Sequence, residues 1–246
     1  MRAGTFLTPL ALLLALAATP APAQRAKPGA RLIETGGFHA EEVSARTGET
    51  WLGLYVSEGR SALVPSVVEV EPVHDEVADE EAWQMTGKAV SVRGKAEPVF
   101  LVAGLDALKP GPVVTSRAGE LVLTAASDVR LALAGDEYRL KVSTARVGDD
   151  PAMFFDDAKL VLSKGGVSQV IYDLSAEGDA GDEGGLRETV GWKLLWAGDL
   201  DGDRRLDLYV QVSHHYNISR HKLFLSTRAP AGRLVREAGE LSVSGC

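Results

Sequence analysis

The most constraining stretch of this chain is Gly198-Asp-Leu-Asp-Gly-Asp-Arg-Arg-Leu-Asp207, set between two segments of alternating character. Upstream, Val190, Trp192, Leu194 and Trp196 fall on one face of an extended segment. Downstream, Leu206, Leu208, Val210 and Val212 alternate with Asp207, Tyr209, Gln211 and Ser213. A period of two in β-branched and aromatic residues is that of a strand, so the loop is expected to join two strands. Its aspartates stand at 199, 201, 203 and 207. Alternate residues of a tight loop aim short carboxylates at one point. Left alone they repel, by about 1 kcal/mol per pair near 4 Å in water and about 4 at an effective dielectric of 20. The partner that suits them is calcium, a hard cation that takes about six to eight oxygens at roughly 2.3–2.6 Å. Asp199, Asp201, Asp203 and Asp207 are therefore the candidate side-chain ligands.

The loop is not an EF-hand. That motif needs Gly at its sixth position and Glu at its twelfth, and runs into a helix; here the two positions are Arg204 and Val210, and a strand follows. The pattern strand, G-D-x-D-x-D-x-x-x-D-L, strand resembles the FG-GAP/VCBS type of calcium loop, over residues 190–227. The resemblance implies side-chain ligation by the four aspartates, a backbone carbonyl from Arg205, and a third short strand at Lys222–Ser226 after a turn at His214–Asn217. The family usually has Gly where this chain has Arg204. Gly permits a positive φ, so a strained or reshaped turn is expected there. A propeller would need about four to eight blades, yet no second DxDxD occurs, no period emerges, and Asp149-Asp150 and Asp156-Asp157 lack the spacing. The expected fold is mainly β: an antiparallel β-sandwich or barrel-like sheets carrying one calcium-binding hairpin near the C-terminus, not a full propeller.

The rest of the chain reads as short strands punctuated by turn residues. Residues 51–56, 62–73 (punctuated by Pro65 and Pro72), 88–93, 97–102, 120–124, 129–134, 138–143, 158–163 and 167–172 are predicted strands. Gly94-Lys95 and Lys164-Gly-Gly166 mark hairpins, and residues 75–83 read as a short helix or an acidic loop. Lys109-Pro-Gly-Pro112 is a breaker. It divides an N-terminal β region, 24–112, from a C-terminal one, 113–246, unless the two form one domain. Asp173 to Glu188, rich in Gly, Asp and Glu, reads as a solvated loop rather than a lid.

Residues 1–23 have the form of a cleavable signal peptide: Arg2, an apolar run from Phe6 to Ala18 too short to span a bilayer, then Ala21-Pro22-Ala23. A secreted or periplasmic protein is expected, of bacterial origin on the Ala-rich leader, with no later transmembrane segment. The formal net charge of −8 argues against nucleic acid as a partner. The one cysteine, Cys246, can form no intrachain disulfide; it is either an inert thiol or the link of a dimer. Calcium would then serve where disulfides are lacking.

No G-x-S-x-G, H-E-x-x-H, C-x-x-C, P-loop or G-x-G-x-x-G occurs. Three of the five histidines, His214, His215 and His221, lie close after the calcium strand and form a secondary candidate site, for zinc or acid–base chemistry. Strand neighbours face opposite ways, so turn packing is the plainer reading. Trp192, Trp196, Trp51 and Tyr55 read as core rather than a sugar platform. Two functions stay open: a calcium-stabilised secreted or periplasmic binding or adhesion protein with an unknown extracellular or envelope partner, or a secreted hydrolase with structural calcium and a histidine-containing site.

Overall fold

The computed structural model describes residues 1, 30–94, 96–146, 150, 153–177, 186–189 and 191–245. The leader at 2–23, Val190 and Cys246 lie outside the described residues. The chain is mainly β, 58% strand and 3% helix. Its strands in order are β1 (Ala30–Ile33), β2 (Gly36–Phe38), β3 (Thr50–Ser57), β4 (Arg60–Val73), β5 (Gly87–Val92), β6 (Phe100–Ala103), β7 (Gly111–Leu123), β8 (Asp128–Leu133), β9 (Asp136–Ser143), β10 (Met153–Phe155), β11 (Lys159–Lys164), β12 (Val167–Asp173), β13 (Leu186–Glu188), β14 (Trp192–Asp199), β15 (Asp207–His215), β16 (Ile218–Leu225) and β17 (Arg236–Ser244).

Nine strands close a barrel in the order β4-β3-β6-β1-β17-β16-β15-β14-β7, with β7 returning to β4 at Ser61–Leu63. Closure removes the free edges that make open sheets prone to pairing with other chains. The barrel draws strands from both sides of residue 112. Its lumen is filled by Leu54, Leu63, Phe100, Trp196, Tyr209 and Leu223. A four-stranded antiparallel sheet, β12-β11-β9-β8, packs on the outer face of β14–β16, so that Leu140, Leu160 and Leu162 meet Leu194, Leu208 and Val210. On another flank, Trp51, Val68 and Val90 form a third cluster under the extension of β4 and β5. β15 is thus buried on both faces: Leu208, Val210 and Val212 face the outer sheet and Tyr209 the lumen.

Four sequence expectations change. Trp192, Leu194 and Trp196 do not share a face. β14 pairs Leu194 with Val210 but Trp196 with Tyr209, a bulge of one extra residue; it turns Trp196 into the lumen while Trp192 and Leu194 face outward. The segments around Gly94 do not form a hairpin: β5 pairs with β4 and β2, whereas β6 enters the barrel between β3 and β1. β4 runs unbroken through Pro65 and Pro72. Finally, the breaker at 109–112 opens a 13-residue strand, β7, which bridges β4 and β14. The hairpin at Lys164-Gly-Gly166 forms between β11 and β12, with Gly165 and Gly166 at positive φ.

Candidate metal centre

The aspartate loop hangs between β14 and β15. Pairing of Gly198 with Asp207 brings its two ends together, so Asp199 and Asp207 are fixed at the mouths of adjacent barrel strands. Gly198 is required there: a Cβ would lie 2.2 Å from the Val114 carbonyl oxygen of β7 and 2.6 Å from the Trp196 ring.

Each carboxylate has its own partners. Asp199, buried, accepts the backbone N–H groups of Gly202, Asp203 and Arg204 at 2.7, 3.0 and 3.0 Å, so it shapes the turn as well as pointing into it. Asp207, fully buried, accepts the N–H of Leu200 at 2.7 Å and of Ser226 at 2.8 Å. Asp201 accepts the Thr227 hydroxyl at 2.5 Å on Oδ2, while its Oδ1 is buried with no hydrogen-bond partner. Asp203 turns elsewhere. It accepts the Arg205 N–H at 2.8 Å, the Arg205 guanidinium at 2.6–2.7 Å and the Ser226 hydroxyl at 2.8 Å.

Three of the four predicted aspartates therefore converge: ligand oxygens of Asp199, Asp201 and Asp207 lie within 4.8 Å of one another. Asp203 and Arg205 form an ion pair beside them. Arg204, where the resemblance expects Gly, has φ 65°, the left-handed conformation that costs a non-glycine residue about 1 kcal/mol or more.

The electrostatics are those of a site short of positive charge. Burial pushes Asp207 up to about 8, and the charge of Asp201 adds to it. Burial also raises Asp201, opposed by the Thr227 hydroxyl and reinforced by the charges of Asp203 and Asp199. A buried carboxylate crowded by others needs a proton or a cation. The all-oxygen donor set and the orphaned Asp201 Oδ1 fit a hard cation, so this triad can hold a metal ion.

The histidines do not join it. The His215 ring bonds the Asn217 side chain at 2.5 Å and lies 4.4 Å from the Tyr216 ring. His221 sits opposite Gln211 on β16 and shares Glu34 (2.7 Å) with the Tyr209 hydroxyl. His214 is buried near the end of β15. Among the described residues the aspartates alone form a group of three or more metal-ligating side chains that converge. Asp173 is occupied by Lys159 at 2.7 Å and by the turn that follows it. Trp192 and Trp196 are fully buried, their indole N–H groups donating to the Ser213 carbonyl and the Ser61 hydroxyl.

One cluster escapes sequence reading. His39 donates to Asp75 at 2.5 Å, and Asp75 also accepts the N–H groups of Val77 and Ala78. Asp79 accepts the N–H groups of Asp75 and Thr86 and the Thr86 hydroxyl. The acidic stretch after residue 74 is thus a knotted loop. The only signal for it is an aspartate positioned to cap its own turn.

No family model, curated protein or solved structure matches the chain.

Proposed function

We propose that the protein is a secreted or periplasmic calcium-binding β protein, in which calcium fixes the β14–β15 loop and, through it, the C-terminal strands of the barrel. The observation that carries this reading is the convergence of Asp199, Asp201 and Asp207 around a buried, unpartnered carboxylate oxygen. Two calcium–oxygen bonds set end to end span about 4.6–5.2 Å, and the converging oxygens lie within 4.8 Å. Asp203, released from Arg205, and the Arg205 carbonyl complete the set the FG-GAP/VCBS resemblance implies, with water filling the remainder. The job of the ion is structural. Ser226 and Thr227, just after β16, bond the loop's aspartates, so ion binding reaches beyond the loop. A binding or adhesion role in the cell envelope or outside it suits a rigid barrel with the ion at its rim.

Calcium titration of the chain by calorimetry tests the reading. One ion should bind per chain, with a Kd on the order of 10⁻⁴–10⁻³ M if the site resembles extracellular modules, and Asp201→Ala should abolish the signal. Equal heats in the wild type and the variant would refute the site.

A further inference from the structure

The β16–β17 connection, residues 226–235, is a strap fastened at both ends. At one end Ser226 and Thr227 bond to Asp207, Asp203 and Asp201. At the other, the Gln169 side chain of β12 clamps the backbone: its Oε1 accepts the N–H groups of Leu234 and Val235 at 2.8 and 3.2 Å, and its Nε2 donates to the Val235 carbonyl at 2.8 Å. Between these fastenings the strap turns, with the Ala229 N–H donating to Ser226 and the Arg233 N–H to Pro230.

Beside the strap lies an open cleft of about 300 Å³, at the lower end of volumes that hold small ligands. Its apolar wall is Val170, Ile171, Phe224 and Pro230, and its basic wall is Arg233 and Arg236. Val170 is exposed here, next to the buried Gln169. Both arginines are exposed and make no ion pair among the described residues. Glu237, the one carboxylate lining the cleft, is held instead by Lys222 at 3.0 Å. Among the described residues, two guanidinium groups stay unneutralised next to apolar surface, in a chain whose net charge is −8.

We propose that this cleft binds a small organic carboxylate with an apolar body, the carboxylate on Arg233 and Arg236 and the body against Val170, Phe224 and Pro230. Guanidinium is planar and weakly hydrated, and it grips a carboxylate with two parallel N–H bonds. Partial desolvation beside Phe224 strengthens that grip. The negative net charge repels polyanions at a distance, which favours a compact, singly charged ligand over a nucleic acid or a polyanionic polymer. The inference stands apart from the ion, because no residue of the aspartate loop lines the cleft.

The test is a titration of the full chain with phenylacetate and with its uncharged analogue phenylacetamide, followed by nuclear magnetic resonance. Saturable shifts with phenylacetate are expected, centred on Val170, Ile171 and the strap. The amide should bind at least tenfold more weakly, because it loses the charge-assisted bonds. Arg233→Gln and Arg236→Gln should each weaken phenylacetate binding about tenfold, while the melting temperature of these exposed-site variants stays unchanged. A Val170→Ser variant should weaken acid and amide alike. Absence of saturable binding, equal affinity for acid and amide, or binding that survives in the double arginine variant would each overturn the proposal.

Discussion

Two acidic loops leave the strands of this protein, 74–86 between β4 and β5 and 199–207 between β14 and β15, and they treat their carboxylates in opposite ways. In the first, every inward oxygen finds a donor. Asp75 is held below the usual carboxylate range by its bond to His39, against burial and with help from the N–H groups of Ala78 and Val77. Burial works against Asp79 too, yet the Thr86 hydroxyl and the N–H groups of Asp75 and Thr86 outweigh it. In the second, Asp199 spends its oxygens on the turn, Asp203 goes to Arg205, and burial pushes Asp207 and Asp201 upward, helped by the charge of Asp201 at Asp207 and of Asp203 and Asp199 at Asp201. Acidic composition alone therefore does not make an ion site. What makes one possible is a shortage of donors at buried oxygens: the first loop is complete as it stands, and the second has room for a proton or a cation.

The largest effect should come from the aspartate loop. Asp207→Ala leaves the buried N–H groups of Leu200 and Ser226 without an acceptor, at about 1–3 kcal/mol each, offset in part by loss of a crowded charge. We expect a net loss of about 3 kcal/mol in chemical unfolding and no response to calcium. The counterpart, Asp79→Ala, should lower the melting temperature by several degrees, and by the same amount with calcium or chelator; a calcium-dependent difference would merge the two loops into one system.

Acidity separates them further. The bond to Asp75 raises the His39 pKa, against burial and with added pull from the charges of Asp75, Glu42 and Glu41. That contribution is complete below pH 6.5 and is lost as pH rises through the folded-state value. The Asp75 contribution is complete above pH 3.8 and is lost as pH falls through its own lowered value. Loop 74–86 should thus be held most firmly between pH 3.8 and 6.5. Amide exchange at Val77 and Ala78, corrected for intrinsic rate, should show protection falling from pH 6 toward pH 8. Constant protection would mean the His39–Asp75 bond does not fasten the loop.

The smallest change sharpens the turn. Arg204→Gly relieves the left-handed φ of 65° but loosens the unfolded chain. A gain of up to about 1 kcal/mol is expected, with calcium affinity unchanged or higher.

The elements legible in the sequence are those written in local pattern. The alternation around Leu208 and Val210 marks β15, Lys164-Gly-Gly166 marks a hairpin, and the spacing of Asp199, Asp201 and Asp207 marks a converging trio. The departure at Arg204 correctly locates a positive φ. Barrel closure is not legible, because it depends on partners far apart in sequence: β1 runs parallel to β17, pairing Ala30 with Gly239, and β4 meets β7 at Ser61 and Val113. Nor does periodicity reveal the bulge at Leu195, since Trp192, Leu194 and Trp196 keep a perfect alternation through it. Asp203 departs from its expected place because Arg205, two residues on, offers a competing charge at 2.6 Å.

The central claim is that the β14–β15 loop is incomplete without a cation, and thermal unfolding of the wild type beside Asp201→Asn tests it most directly. In chelator the variant should melt at or above the wild type, because it loses a charge that three neighbouring carboxylates repel. Calcium at about 100 times its Kd should then stabilise the wild type by about 2.7 kcal/mol, roughly 5–11 °C for a chain of this size, and leave the variant where it was. Equal shifts in both proteins, or none in either, would contradict the claim.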